Sequence, residues 1–169
     1  MASITDFISA FKGGTRKNRF VVTGTWPSSV TNNITTYHII SASLPSSDLG
    51  VVSVPHRGRF ANFAGDRTYE PWDITVLDDT NTSLWHSFQE WQKLINEHVS
   101  NLRSTNITDS FADAKRNWTV KHLDHNGNVL KTMTLVGCWP AIVNPIDFTM
   151  TQNGYNAFGV QINYDYFTG

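Results

Sequence analysis

Residues 62–79, NFAGDRTYEPWDITVLDD, set a small-residue step at Ala64-Gly65 ahead of the oppositely charged neighbours Asp66 and Arg67, then enter an alternating run through Pro71-Trp72. From there Trp72, Ile74 and Val76 alternate with Asp73, Thr75 and Leu77. This period of two predicts a β-strand with one strongly apolar face. Burial of that face makes the strand central to the fold. Gly65 tolerates backbone geometry closed to other residues. Gly65, Asp66 and Arg67 are therefore expected to form a turn into the Trp72 strand, held by an Asp66–Arg67 ion pair or hydrogen bonds.

Downstream, Leu84, Phe88, Trp91, Ile95 and Val99 recur at helical spacing with Glu90 and Lys93 opposite, which predicts one long amphipathic helix. Residues 101–117 are polar and irregular. Trp118–Leu123 and Val129–Val136 flank DHNGN, a strong hairpin turn, and Cys138–Val143 follows Gly137 with the step Trp139-Pro140. Ile146–Met150 leads through QNGYNA to a closing strand. There Phe158, Val160, Ile162, Tyr164 and Tyr166 alternate with Gly159, Gln161, Asn163 and Asp165.

Upstream, Ile4, Phe7, Ile8 and Phe11 share one helix face, Ser3 can cap the start and Gly13-Gly14 can end it. Arg19–Thr25 and Thr36–Ala42 read as two strands of a hairpin around a Pro-Ser-Asn-rich turn. Between 43 and 66 the run of Pro45, Ser46, Ser47, Gly50, Pro55, Gly58 and Gly65 predicts a long loop excursion, the kind of segment that carries contacts. The whole reads as a single mainly β domain over 1–169, a barrel or sandwich. A long helix packs on it, and a short helix lies in an N-terminal arm over 1–18. A domain of this kind must close its sheet edges, cover them or pair them with another chain.

Composition narrows the function. The 169 residues suit one domain, and 40% hydrophobic with 16% charged residues predicts a folded chain. A net charge of -1 with both signs scattered lacks the basic face of a nucleic-acid binder. Cys138 is the single cysteine, so neither an internal disulfide nor a zinc site of paired cysteines is expected. MASITDFISAFKGG has no basic leader and carries Asp6 within its apolar run, unlike an export signal. No window approaches the roughly 18 apolar residues of a membrane helix. A soluble protein made in a reducing compartment is expected, and the Asn-x-Ser/Thr triplets at Asn33, Asn81, Asn106 and Asn117 are read as chance.

Candidate chemistry is sparse. HLDH, His122–His125, offers metal-ligand residue types without a second cluster, and His86 with Glu90 forms a helical i,i+4 pair of a common surface kind. HRGRF, His56–Phe60, could grip phosphate or stack a base, but suits a contact surface in a neutral chain. Gly13-Gly14 beside Lys12, Arg16 and Lys17 lacks the strand and helix of a phosphate loop. Cys138 reads as a buried small hydrophobe. Trp72, Trp85, Trp91, Trp118 and Trp139 sit at core positions, which leaves Trp26 as the one exposed candidate for a carbohydrate platform.

Ala64 to Asp79, AGDRTYEPWDITVLDD, resembles the tail tube proteins of contractile-tailed bacteriophages, in which an Ala-Gly-Asp-Arg-Thr-aromatic segment enters a strand that begins with Trp and ends in an acidic pair. FKGGTRKNRFVV (11–22), GCWPAIV (137–143) and VQINYDYF (160–167) are similar to further family segments, in family order and across nearly the whole chain. Lys17, where many relatives have Pro, and the Asn-rich turn at Asn32 and Asn33 depart from the pattern. The resemblance implies a structural virion protein, not an enzyme and without cofactor or metal. It implies six-fold rings of this chain stacked into a hollow tube within the tail sheath. Baseplate and tail terminator proteins would be partners, DNA would pass transiently through the lumen, and no membrane would be bound.

Under that reading Gly65, Asp66, Arg67 and Trp72 form a structural and subunit-contact motif. Ser46, Asp48, Arg57 and Arg59 belong to a ring-stacking loop, and Gln161, Asn163 and Asp165 face the lumen. The alternatives are the tube of a phage-tail-like bacteriocin or secretion device, a tube-initiating baseplate protein, a carbohydrate-binding β-sandwich and, last, a metal-dependent hydrolase at His122 and His125.

Overall fold

The computed structural model describes residues 3–11, 14–30, 36–103, 114–151 and 153–169. The expectations for Lys12, Gly13, Asn32, Asn33 and much of 101–117 fall wholly or partly outside these residues. In chain order the elements are α1 (Ile4–Phe11), β1 (Phe20–Gly24), a 3-10 turn (Thr36–His38), β2 (Ile39–Ala42), β3 (Ser47–His56), β4 (Arg59–Tyr69), β5 (Trp72–Leu77), α2 (Ser83–Ile95), β6 (Arg116–Leu123), β7 (Val129–Val143), β8 (Ala157–Asn163) and β9 (Tyr166–Thr168). The mainly β fold with a short and a longer helix is as expected from the sequence.

Seven strands form one antiparallel path, β1-β6-β7-β8-β5-β2, with β9 added on β7. β7 serves two layers. Its first part pairs with β6 and β9 and its last part with β8, and the chain turns between them at Gly137, whose φ of 73° suits glycine. The stretches 129–136 and 138–143 are therefore one bent strand. The expected hairpin between 19–25 and 36–42 is absent: β1 pairs with β6 and β2 with β5, at the two ends of the path. The described part of the intervening segment contributes to the core. Val30 is buried, and Trp26 packs against Phe88 at 4.8 Å, Trp91 at 5.2 Å and Trp118 at 6.0 Å between ring centroids. Trp26 is thus not an exposed platform residue.

β5 shows the expected alternation, with Trp72, Ile74 and Val76 buried and Asp73 exposed. It is an interior strand, between β8 and β2. The apolar stripe of α2 buries Leu84, Phe88 and Trp91, and the indole N–H of Trp91 donates to the Ala114 carbonyl at 2.8 Å. The helix stops at Ile95 and leaves Val99 exposed. The closing strand also stops early: after Asn163 the chain bends, and Tyr166 lies on β9, half exposed, rather than in the buried row of β8.

Asp79 holds the start of α2. One carboxylate oxygen accepts the Ser83 N–H at 2.7 Å, and the other accepts the Ser83 hydroxyl. These bonds, the hydroxyl's foremost, lower the Asp79 pKa, whereas desolvation raises that of its neighbour Asp78. The signs are opposite. A lowered carboxyl stabilises the fold above its unfolded value of 3.8 and loses that contribution as pH falls through the folded value; a raised one favours the fold at low pH and loses this as pH rises. Asp79→Ala is expected to cost about 0.5–2 kcal/mol at neutral pH. The difference from the parent should shrink on acidification below the normal carboxylate range, as measured by urea denaturation across pH.

Candidate assembly surface

Between Ser47 and Tyr69 the chain leaves the main sheet as a two-stranded ribbon, β3 with β4. This corrects the expectation of a loop over 43–66. Val51, Val52, Val54, Phe60 and Phe63 are strand formers, and Arg57-Gly58 closes the ribbon with φ of 47° and 78°. That pair of positive values is the two-residue turn whose twist matches the flanking strands. Gly65, Asp66 and Arg67 lie inside β4, not in a turn. Asp66 and Arg67 are not ion-paired, because consecutive strand residues point to opposite faces. Arg67 instead reaches across the ribbon, with Nη1 3.4 Å from the Ser47 hydroxyl. Gly65 matters through closeness: an added Cβ would meet the Gly50 backbone at 3.1 Å, where the register shifts. Glu70 and Pro71 connect β4 to β5.

Among the described residues the ribbon is anchored at its root. Pro45 is buried, the Tyr164 hydroxyl donates to the Ser46 carbonyl at 3.1 Å, and the Trp72 indole N–H donates to the Ser43 carbonyl at 2.6 Å. Tyr69 packs on Tyr164 and Phe167 at 5.9 and 5.7 Å between ring centroids. Beyond that every residue of β3 is exposed, as is β4 except Gly65 and Tyr69. Register puts Val52, Val54 and Phe63 on one face and Val51, Pro55, Phe60 and Ala64 on the other, so both faces are apolar. The expected contact residues are dispersed along it. Ser46 and Asp48 sit at the root, while Arg57 and Arg59 form a basic tip with His56, about 30 Å away at strand rise.

A second surface is the outer face of the β2-β5-β8 layer. Gln161 lies opposite Asp73 and donates to its carboxylate at 3.1 Å, Thr75 lies opposite Gly159 and Ser41, and Asn163 lies opposite Trp139 on β7. Gln161 and Asn163 thus share a polar face. Asp165 does not: it follows β8, pairs with Lys115 at 2.6 Å, and its N–H donates to the Val136 carbonyl. The sequence reading missed Asp73, Thr75 and Ser41 on this face. The alternation in β5 marked the outward side of Asp73 and Thr75, but not the strand beside them.

The residues with catalytic resemblance are used structurally. Asp124 accepts the N–H groups of Asn126 and Asn128 at 2.7 and 2.9 Å, the carbonyl of His125 accepts Arg19 Nη1 at 2.9 Å, and His122 Nε2 lies 3.3 Å from the Arg16 carbonyl. Among the described residues no group of three or more His, Cys, Asp or Glu could hold a metal ion. Burial pushes the Cys138 thiol up to about 12.

Residues 10–168 match the family of phage tail tube proteins. The chain belongs to that family. It is 31% identical over 172 residues to the tail tube protein of Serratia phage KSP90, covering 97% of this chain and 95% of the relative. A chain in the six-fold symmetrised cryo-EM structure of the anti-feeding prophage baseplate has a TM-score of 0.62 at 13% identity, covering 89% of this chain and 91% of the other. A chain in the sheath-tube complex of the extracellular contractile injection system PVC, in its extended state, has a TM-score of 0.56 at 16% identity, covering 99% and 97%. The tail tube fold accounts for both layers and for the two helices. As a phage tail tube protein the chain is a structural component of the virion tail, not an enzyme.

Proposed function

We propose that this chain is the subunit of the inner tube of a contractile phage tail, forming hexameric rings that stack into a hollow tube through which DNA leaves the virion. The observation that carries this reading is the β3–β4 ribbon. A lone two-stranded hairpin is marginal in water, and this one exposes apolar side chains on both faces. Neighbouring copies lying against each face would supply the missing burial, and the ribbon would serve as the stacking arm. Among the described residues β1 and β2 end the main sheet path, and their outer edges would gain partners in a closed ring. Sheath, baseplate and terminator proteins are the further partners of such a tube, assembled in the cytoplasm of the bacterial host.

The polar face of Ser41, Asp73, Thr75, Gln161 and Asn163 is assigned to the lumen. Without a cation there, DNA phosphates are not held, so the conduit does not retain what it should release. Lysine at Thr75, Gln161 and Asn163 should slow DNA ejection, with the rate recovering as salt is raised. Ejection that is unchanged at low salt would overturn the lumen assignment. The assembly itself is tested by negative-stain electron microscopy of purified protein, fresh and after concentrated incubation. Rings or tubes with six-fold end views are expected, and persistent monomers even with baseplate present would refute it.

A second reading, the tube of a phage-like injection device or a protein that starts the tube at a baseplate, is favoured by the solved neighbours, which come from such assemblies. Capsid and terminase genes beside this one would decide for the phage.

A further inference from the structure

We infer that α1 of one copy docks its apolar stripe into the cleft formed by residues 145–151 and 153–157 of a copy in the next ring, an inference that rests on the tube reading above. Ile4, Phe7, Ile8 and Phe11 all lie on one side of α1 and are 56–76% exposed, while Asp6 lies opposite. An eight-residue helix is far below the length that is stable alone in water, so its partner must come from elsewhere. Phe7 and Phe11 stack at 5.4 Å with their planes 13° apart, a flat double-ring knob.

The receiving surface is equally unusual. Residues 144–151 and 153–156 form no helix or strand, and three large apolar side chains among them point outward: Phe148 is 78%, Tyr155 92% and Met150 106% exposed. They line a cleft of about 510 Å³ with Pro145, Asp147 and Ala157, large enough for a pair of aromatic rings. Aromatic side chains bury about 150–250 Å² each. The seven side chains of stripe and cleft together therefore supply on the order of the 1,000 Å² that a specific contact requires. Repeated around a ring, a modest contact becomes a strong one.

Placement makes the contact intermolecular. The segment after α1 is tied to the β6–β7 turn, through Arg19 Nη1 to the His125 carbonyl at 2.9 Å and the Leu123 N–H to the Arg19 carbonyl at 2.9 Å. Phe11 and Gly14 flank that turn with Leu130. The cleft leaves from Val143, the other end of the 15-residue β7, which is roughly 30 Å away even for a right-angle bend at Gly137. An eight-residue helix spans only about 12 Å. Stripe and cleft lie near opposite ends of β7, and a contact between two such unlike surfaces propagates head to tail instead of closing a dimer.

The test is disulfide trapping in assembled tubes with Ile8→Cys and Met150→Cys, both at exposed positions, against the buried and unreactive native Cys138. After air oxidation the double variant should give a ladder beyond dimers on a non-reducing gel, and a mixture of the single variants should give dimers only. A second route uses charge: Ile8→Lys and Met150→Glu should each cause loss of sedimentable tube, and the two combined in one chain should restore it. Tubes without cross-links, dimers from Ile8→Cys alone, or charge variants that stack normally would each overturn the docking while leaving the tube reading intact. Failure of the unsubstituted protein to form rings or tubes would remove the tube reading and the docking with it.

Discussion

Replacement of Ser53–Asn62 by Asn-Gly should leave a folded, soluble subunit that no longer forms tubes. Val52 and Phe63 face each other in the ribbon, in the same phase of the ladder as the pair His56 and Arg59 that flanks the present turn. The new two-residue loop therefore inherits a compatible register, and Asn-Gly favours the same turn. The excised residues are all exposed and include no member of the core. The melting temperature should thus move by no more than about 2–4 °C, the equivalent of roughly 1 kcal/mol for a domain of this size. Assembly should respond very differently. Val54 and Phe60 are lost together with the basic tip, and burial of such side chains is worth about 1.5–3 kcal/mol each. A loss of that size, repeated at every contact of a ring, lowers the stacking constant by orders of magnitude. Sedimentation velocity and thermal circular dichroism on one preparation separate the effects. Tubes formed at the parental concentration would show that the ribbon is not the stacking arm. Arg57→Asn separates charge from geometry, since it keeps the turn and deletes one cation of the tip.

Trp118→Ala should have the largest effect on stability, about 3–5 kcal/mol, against a total of about 5–15 kcal/mol for a domain. The indole is fully buried at the point where both layers and α2 meet, with Trp26 at 6.0 Å, Trp72 at 6.1 Å, Phe88 at 6.4 Å and Trp91 at 6.5 Å between ring centroids. Four aromatic neighbours held by three separate parts of the fold, β5, α2 and the segment after β1, cannot collapse together into the space left behind. Across the ladder from Trp118 lies Gly24, and an added Cβ there would run into the indole ring. Gly24→Ala should therefore cost about 1–3 kcal/mol by overpacking, and much less in the Trp118→Ala background, where the obstacle is gone. Urea denaturation of the two single variants and the double variant measures that coupling. Additive costs would mean that the ring and the glycine do not share this space.

Local periodicity made several elements legible before any coordinates. The stripe of α2 predicted a helix that buries Leu84, Phe88 and Trp91, the alternation after Pro71 predicted β5 and its inward face, and Asp124 to Asn128 predicted the turn between β6 and β7. These signals arise within a few residues, because side-chain direction follows from helical or extended backbone alone. The family resemblance rested on such local segments too, and family membership follows from nearly the whole chain. The ribbon was not legible as a ribbon. Its glycines and prolines argued for a loop, whereas Gly50 and Gly65 permit a close crossing of the strands and Gly58 a tight turn within a regular hairpin.

What the sequence by itself determined was therefore the elements, their buried faces and the family. Only the tertiary structure decided which strands are neighbours: β1 against β6 and β2 against β5, Gln161 beside Asp73, Asp165 turned away to Lys115, and Trp26 drawn into the core. The physical reason is that a strand's alternation states which face it buries but not what lies against its edges. Those partners are selected by packing among residues distant along the chain, at Trp118 above all, where one indole and the absent side chain of Gly24 fix how two strands lie together.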